Sequence, residues 1–271
     1  MRGGAAVAAP IAFTVFTKPW HQPLPELGRF VAGLGFDGIE LPVRPGFQVT
    51  PETAERALPA AVRTLADCQV RIASVAGAAE RRLIAACGEA GVPLIRICVD
   101  IPRDRTYLQH ESAVLREFEA LVPVLLDAGV AIGVQNHCDR WVGSALGVRR
   151  LVEPFDPRAI AAVWDPAHCV LAGEPPSLAA DILWSHLRLV NLKNCRWDGE
   201  PGDGPARFQR RWVGGEHGLC RWDEVAAELR RRGYAGDVCL TAEYSDEDAV
   251  DRQIAADIAF ARALFLDQEG R

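Results

Sequence analysis

"AAVWDPAHCV", residues 161–170, begins as an apolar run that ends on a carboxylate, Asp165. A short apolar run of this kind is typical of a strand that is buried on both faces of a parallel sheet. A histidine, His168, follows three residues after the acid. Since parallel strands carry their functional groups at their carboxyl ends, this acid predicts a site at the end of the strand.

Seven further apolar runs are spaced along the chain, with amphipathic segments between them. The eight runs cover residues 11–16, 36–43, 70–77, 93–100, 130–137, 160–165, 187–194 and 237–244. Strands that alternate with helices predict a parallel sheet, and eight such units predict one (β/α)8 TIM barrel, a single domain over residues 1–271. A doubly wound open sheet is the alternative. The Gly-rich phosphate loop that usually follows its first strand is absent from "FTVFTKPWHQP", residues 13–23.

Composition and charge narrow the class of protein. Hydrophobic residues make up 49% of the chain and charged residues 24%, which is ordinary for a globular protein with a full core. The net charge of −6 argues against a nucleic-acid surface, and no apolar run is long enough to span a membrane. The eight cysteines form no CxxC pair, which disfavours a zinc ribbon. We therefore expect a reducing, cytoplasmic compartment.

Polar residues recur at the carboxyl ends of the predicted strands, on the side that faces the barrel interior. The inward set comprises Gln135, Asp165, Asn191 and Glu243, flanked by His137, His168, Lys193, Glu40 and Arg96. Two carboxylates and two amide oxygens that face one point suit a hard divalent cation such as Mg²⁺ or Mn²⁺. Gln135, Asp165, Asn191 and Glu243 are therefore the predicted metal ligands.

Further substrate contacts are expected around this mouth. Lys18 and Trp20 follow the first strand and Arg44 follows the second, and the Trp20 ring could stack on a sugar. Glu40 and Arg96 are predicted either to contact the substrate or to pair with each other inside the barrel. The long Gly-rich segment 196–215 fits an active-site cover and a solvated loop equally well.

At these residues the sequence resembles the xylose-isomerase-like barrel superfamily, which includes sugar (phosphate) isomerases and epimerases, inosose dehydratases and apurinic endonuclease relatives. The resemblance is carried by "GFDGIEL", "GVAIGVQNH", "VWDPAH", "LVNLKN" and "GYAGDVCLTAEY" and covers nearly the whole chain. It implies one divalent metal, with Asp165 and Glu243 matching two of the family's ligands. Gln135 stands where those epimerases carry a glutamate, and Asn191 stands where they carry a histidine. His168 matches a histidine that contacts substrate oxygens.

The resemblance implies that a metal polarises a carbonyl and holds an enediolate after a neighbouring C–H loses its proton. Gln135 cannot take a proton, whereas Glu243 can, with His137, His168 or Lys193 as a partner. We therefore expect one-base isomerisation or elimination on a small sugar or polyol rather than two-base epimerisation.

Two other functions compete with a metal-dependent enzyme. A catalytically degenerate sugar-binding barrel would explain the amides at positions 135 and 191. An abasic-site endonuclease is disfavoured, because the three-zinc site of that relative needs more histidines than the six in this chain. The sugar, its phosphorylation and the choice between a monomer and a homo-oligomer are left open.

Overall fold

A closed barrel of eight parallel strands forms the centre of the molecule. The computed structural model describes residues 11–202 and 204–266. The barrel strands are β1 (Ala12–Phe16), β2 (Gly38–Pro42), β3 (Arg71–Ala76), β4 (Leu94–Cys98), β5 (Ala131–Gln135), β6 (Ile160–Trp164), β7 (Leu187–Leu192) and β10 (Asp237–Leu240). They pair in chain order, and β10 closes the barrel against β1. Each falls within one of the eight predicted runs, so the predicted (β/α)8 fold is confirmed.

Helices surround the barrel. They are α1 (Leu24–Gly33), α2 (Ala54–Ala66), α3 (Arg81–Ala90), α4 (Tyr107–Ala128), α5 (Ala145–Val152), α6 (Pro166–Leu171), α7 (Pro176–Leu183), α8 (Trp222–Arg231) and α9 (Val250–Leu266). Two of them end on glycines in the left-handed conformation, Gly91 and Gly129, which L side chains rarely adopt. Within the described ranges, no helix has both the length and the apolar character of a membrane span.

An apolar layer crosses the interior of the barrel. Its side chains are Phe16, Ala76, Leu94, Ala131, Val163, Leu189 and Cys239. Position 133, beside this layer, requires a glycine, because a Cβ there would meet the Val163 side chain at 2.6 Å. Two residues beyond Leu94, Val163 and Leu189 come the polar residues Arg96, Asp165 and Asn191, so the layer forms the floor beneath the barrel mouth.

The segment after β7 departs from the simple strand–helix repeat. It forms an antiparallel hairpin of β8 (Asn194–Gly199) and β9 (Phe208–Val213). The buried amide of Asn194 anchors the hairpin, because its oxygen accepts from the N–H groups of Cys195 and Cys220 and its nitrogen donates to the Gly215 and Cys220 carbonyls. Most of the segment predicted as a cover or a solvated loop is therefore an ordered hairpin.

Candidate active site at the barrel mouth

A pocket of about 490 Å³ opens at the carboxyl ends of the strands. Eight of the residues singled out from the sequence line it: Lys18, Arg44, Arg96, Gln135, His137, Asn191, Lys193 and Glu243. Three more, Glu40, Asp165 and His168, are fully buried and belong to the network of hydrogen bonds and ion pairs around it. The alternation of side chains along each strand brings these groups together, as parallel strands of a barrel require.

Glu40 and Arg96 pair with each other inside the barrel, the second of the two alternatives open at the sequence level. Arg96 Nε lies 2.8 Å from both Glu40 carboxylate oxygens, and an Nη2 contact of 2.6 Å completes a forked ion pair. Ser74 Oγ also donates to Glu40. Glu40 has no exposed surface and does not line the pocket, so its part is to hold Arg96 in place.

Gln135 links the Arg96 pair to Asp165, and its orientation is fixed by its neighbours. Gln135 Oε1 accepts from Arg96 Nη1 at 2.7 Å, while Gln135 Nε2 donates to Asp165 Oδ2 at 2.9 Å. A flipped amide would set N–H groups against a guanidinium and an oxygen against a carboxylate, and both contacts would be repulsive. Gln135 therefore presents an N–H group, not a lone pair, to Asp165.

Lys193 lies between the two carboxylates that were predicted to bind a metal. Its Nζ donates to Glu243 Oε2 at 2.9 Å and lies 3.4 Å from Asp165 Oδ2. Only 4% of the Lys193 side chain is exposed. Trp212, on β9, covers the ammonium with its ring at 4.6 Å, a cation–π contact. Lys18 Nζ approaches the other oxygen of Glu243 at 3.0 Å.

The ionisation of these groups follows from their pairing. Burial disfavours the Lys193 ammonium, but Asp165 and Glu243 outweigh that effect and hold the pKa of Lys193 above its ordinary value. Burial alone would raise the pKa of Glu243, yet Lys193 and Lys18 outweigh it and hold that pKa well below its ordinary value. Burial raises the pKa of Asp165, with Lys193 opposing. Lys193 is thus a permanent cation, and Glu243 is a weak base while both lysines contact it.

The predicted metal ligands, as arranged, do not fit a divalent cation. Such an ion needs oxygen lone pairs at about 2.0–2.6 Å. Lys193 Nζ already lies between Asp165 and Glu243, and the Gln135 oxygen is turned toward Arg96. Asn191 is buried, and both polar atoms of its amide are without a hydrogen-bond partner among the described residues. Asn191 lines the pocket, so it can meet a substrate oxygen.

Two histidines pack together at one wall, with ring centroids 4.2 Å apart. The Cys138 N–H donates to His168 Nδ1, which leaves the His168 proton on Nε2. His137 Nδ1 lies 3.1 Å from the Cys138 carbonyl oxygen and must be the donor, since a carbonyl only accepts. His137 Nε2 therefore keeps its lone pair. Burial and the nearby Lys193 lower the pKa of His137, which makes it a neutral base at the pocket.

His137, Cys138 and His168 also come close enough to suggest a metal cluster, with ligand atoms within 4.8 Å of one another. The Cys138 N–H occupies the lone pair of His168 Nδ1, so that nitrogen cannot bind an ion in this arrangement. Burial raises the pKa of the Cys138 thiol to about 12. The three residues pack against one another at one wall of the pocket.

Two residues at the site were missed in the sequence. Trp212 contacts Lys193 and packs its edge against His168 at 5.3 Å, and Arg210 pairs with Asp139 beside it. Both lie on β9, far along the chain from any predicted strand, so no periodic pattern could assign them to the mouth. The backbone at Ala242 is also unusual, with φ +52°, a costly conformation that directs Glu243 into the pocket.

Trp20 lies away from the pocket, contrary to the expectation of a sugar-stacking ring. It is 7% exposed, packs against Phe30 and donates from Nε1 to Asp251 at 2.8 Å. The chain turns after β1, where the Trp20 N–H bonds to the Thr17 carbonyl, and this turn carries the ring toward α1. Trp20 is a packing residue.

Trp20→Phe is expected to change stability and not turnover. Losing the hydrogen bond to Asp251 and part of the ring should lower the free energy of unfolding by about 1–2 kcal/mol. Urea denaturation measures this loss, and KM and kcat for any sugar that is turned over should match those of the wild type. A raised KM in Trp20→Phe would contradict this prediction and show that Trp20 contributes to substrate binding.

Solved structures with the same architecture include two sugar epimerases and a probable dehydratase. A D-psicose 3-epimerase from Clostridium cellulolyticum H10 aligns with 15% identity and a TM-score of 0.71, covering 94% of this chain and 99% of that one. The 3-keto-D-glucoside 4-epimerase YcjR from E. coli aligns with 12% identity and a TM-score of 0.71, over 93% and 99%. The probable 3-DHS dehydratase AsbF from Bacillus anthracis aligns with 13% identity and a TM-score of 0.69, over 90% and 97%.

The TM-scores and the coverage show a common fold, and at 12–15% identity the likeness shows the fold alone. Among curated proteins, none matches this chain by sequence. A sequence model of one family, described as xylose isomerase-like TIM barrel, matches residues 29–264. That match spans all but the first barrel strand, and it agrees with the closed eight-stranded barrel and with the resemblance seen in the motifs. The chain belongs to the xylose isomerase-like TIM barrel family.

Proposed function

We propose that this chain is an isomerase- or epimerase-type enzyme that acts on a small sugar or polyol through an enediolate. One observation carries the proposal: a neutral histidine, His137, shares the pocket with two donors, Lys193 and Asn191. A base beside hydrogen-bond donors is the arrangement that proton abstraction next to a carbonyl requires. The activities of three proteins of the same fold, two sugar epimerases and a probable dehydratase, support this reaction class.

The proposed step begins with the transfer of one proton. The substrate carbonyl oxygen accepts hydrogen bonds from Lys193 Nζ and Asn191 Nδ2. His137 Nε2 takes the proton from the adjacent carbon, the C–H electron pair becomes the C=C bond, and the carbonyl oxygen gains the negative charge. The hydroxyl proton on the deprotonated carbon then passes to that oxyanion, and return of the first proton from His137 to the former carbonyl carbon gives the isomer. Loss of a hydroxyl group from the next carbon, with that proton, gives elimination of water.

His137 is a better base than Glu243, which was the base expected from the sequence with His137, His168 or Lys193 as its partner. Glu243 contacts two lysine ammonium groups, which keep it a weak base in the free protein. Glu243 can take part once a substrate draws Lys18 or Lys193 away. A single strong base favours isomerisation or elimination over two-base epimerisation. The divalent metal expected from the sequence does not enter this step.

Arg44 and Lys18 indicate where the rest of the substrate binds. Both line the pocket at its mouth, and Arg44 makes no ion pair with a carboxylate of the described residues. A guanidinium without a fixed anion suits hydroxyl groups or a phosphate or carboxylate on the substrate. The eight cysteines are unpaired, which supports the cytoplasmic location proposed with this function.

Solvent exchange tests the proposed reaction without knowledge of the product. The purified chain is incubated in D₂O with a panel of aldoses, ketoses, inososes and their phosphates, and ¹H NMR follows the C–H next to each carbonyl. Deuterium should replace that hydrogen in at least one compound. Binding of a sugar with no exchange in any compound would favour a sugar-binding barrel without turnover, the candidate that the double lysine contact of Glu243 also suits.

His137→Gln is expected to slow the exchange about 10²-fold, because the amide cannot accept the proton. The acting form is the neutral imidazole, so exchange is fast above the His137 pKa and is lost as pH falls through it. Since burial and Lys193 hold this pKa below 6.5, the acid limb of the wild-type profile should lie below pH 6.5. His21→Gln, at an exposed histidine outside the pocket, is the control. An unchanged acid limb in His137→Gln would assign the base elsewhere.

A further inference from the structure

We infer that the Lys193 ammonium takes the place of a divalent cation in this chain: it neutralises Asp165 and Glu243, and it is the electrophile that polarises the substrate carbonyl. The second half of this inference rests on the proposed function, whereas the first half is a statement about cation binding alone. It assigns Lys193 a role opposite to the base expected from the sequence.

The position of Lys193 carries the inference. Its Nζ bridges carboxylates from two different barrel strands, at 2.9 Å from Glu243 and 3.4 Å from Asp165. A metal bound by both carboxylates would have to share that space. Only 4% of the Lys193 side chain is exposed, and the Trp212 ring of the hairpin covers its ammonium, so in the free protein both contacts hold Lys193 between the carboxylates. Its third N–H has no oxygen acceptor among the described residues, so one donor is left for a substrate oxygen.

The two amide substitutions match a cation that is already built in. Gln135 donates to Asp165 and accepts from Arg96. A glutamate at 135 would turn the contact with Asp165 into two facing carboxylates, which an added cation or a shared proton would have to stabilise. Asn191 contributes a neutral amide beside the ammonium rather than a metal-binding imidazole. Gln135 and Asn191 therefore change the site in the same direction as Lys193, away from a metal.

The carboxylates at the mouth are neutralised without an added ion. Three carboxylates, those of Glu40, Asp165 and Glu243, pair with three cations, those of Arg96, Lys193 and Lys18, and Arg44 adds a fourth cation to the pocket lining. A divalent cation would add two further positive charges to a mostly buried site, where charges interact strongly. The lysine and arginine side chains thus supply the positive charge that a metal would otherwise bring to the carboxylates.

Titration with Mn²⁺ tests the inference on the full chain after EDTA treatment, by calorimetry and by thermal unfolding. The wild type should show no saturable binding and no rise in Tm at millimolar Mn²⁺. Lys193→Met keeps most of the side-chain stem but removes Nζ, and it should gain one Mn²⁺ site that raises Tm. Lys193→Met/Gln135→Glu should bind Mn²⁺ at least about tenfold tighter than Lys193→Met, because a third carboxylate is added.

Lys18→Met is the matched control, since it removes the other ammonium on Glu243 but leaves Lys193 between the carboxylates. It should bind Mn²⁺ no better than the wild type. One equivalent of Mn²⁺ in the wild type that is lost in Asp165→Asn would overturn the inference. So would folded Lys193 variants, judged by circular dichroism, that fail to gain a site. These readouts do not depend on turnover, so absence of deuterium exchange would remove the proposed reaction and leave this assignment standing.

Discussion

Lys193→Met is expected to lower kcat for deuterium exchange by about 10³-fold, the largest effect on activity that we predict. The variant removes the one fully buried ammonium that can hold negative charge on the substrate oxygen. A preorganised donor in a site that excludes water stabilises developing charge far more than a solvated one. KM should change less than kcat, because the interaction strengthens only as the oxygen becomes charged.

Comparison with Lys18→Met separates this effect from a simple loss of positive charge. Both variants remove a lysine that contacts Glu243, but about half of the Lys18 side chain is exposed. Solvent screens such a charge, so the loss of kcat in Lys18→Met should be much smaller. Equal losses of kcat in the two variants would mean that Lys193 acts only through the overall potential of the pocket.

Arg96→Met is expected to lower the free energy of unfolding by about 3–5 kcal/mol, the largest effect on stability. Removing the guanidinium leaves the fully buried Glu40 carboxylate without a cation and Gln135 Oε1 without its donor. An unpaired buried charge costs far more than the pair itself contributes. Urea denaturation at neutral pH measures the change.

Two further variants check the reason for this loss. Arg96→Met/Glu40→Gln removes the unpaired charge and should recover a large part of the lost stability, because a neutral amide is easier to bury than a carboxylate. Arg82→Met breaks the exposed ion pair with Glu55 and should have little measurable effect. A small loss in Arg96→Met would mean that water reaches Glu40 in the variant.

The barrel and the position of its mouth could be predicted from the sequence because both depend on local periodicity. Apolar runs of strand length define the eight strands, and alternation within each run assigns Asp165 and Asn191 to the inner face. The choice of partners could not be predicted in this way. Which groups Gln135 and Lys193 contact depends on distances between strands, and a metal and an ammonium satisfy the same two carboxylates.

The positions of side chains in loops and in the hairpin also could not be predicted from the sequence. Trp20 and Lys18 lie two residues apart after β1, yet only Lys18 lines the pocket, because the turn at Thr17 carries the Trp20 ring toward α1. Trp212 had no strand pattern to assign it to the mouth, since it lies on a hairpin that the barrel repeat does not include. A cue was present in the alternation of Asn191, on β7, with Lys193, one residue past its end, because it brings a cation into a set of predicted metal ligands.

The apolar layer beneath the mouth gives the pocket a blind end. Side chains from seven of the eight strands fill the barrel there, among them Phe16, Leu94 and Val163, so neither water nor a sugar passes through to the opposite face. A substrate and its product would therefore enter and leave through one opening, the barrel mouth beside the hairpin that carries Trp212. In the proposed reaction, substrate and product therefore cannot pass through this opening together. A polar product has to leave before the next substrate enters, so product release limits the turnover rate from above.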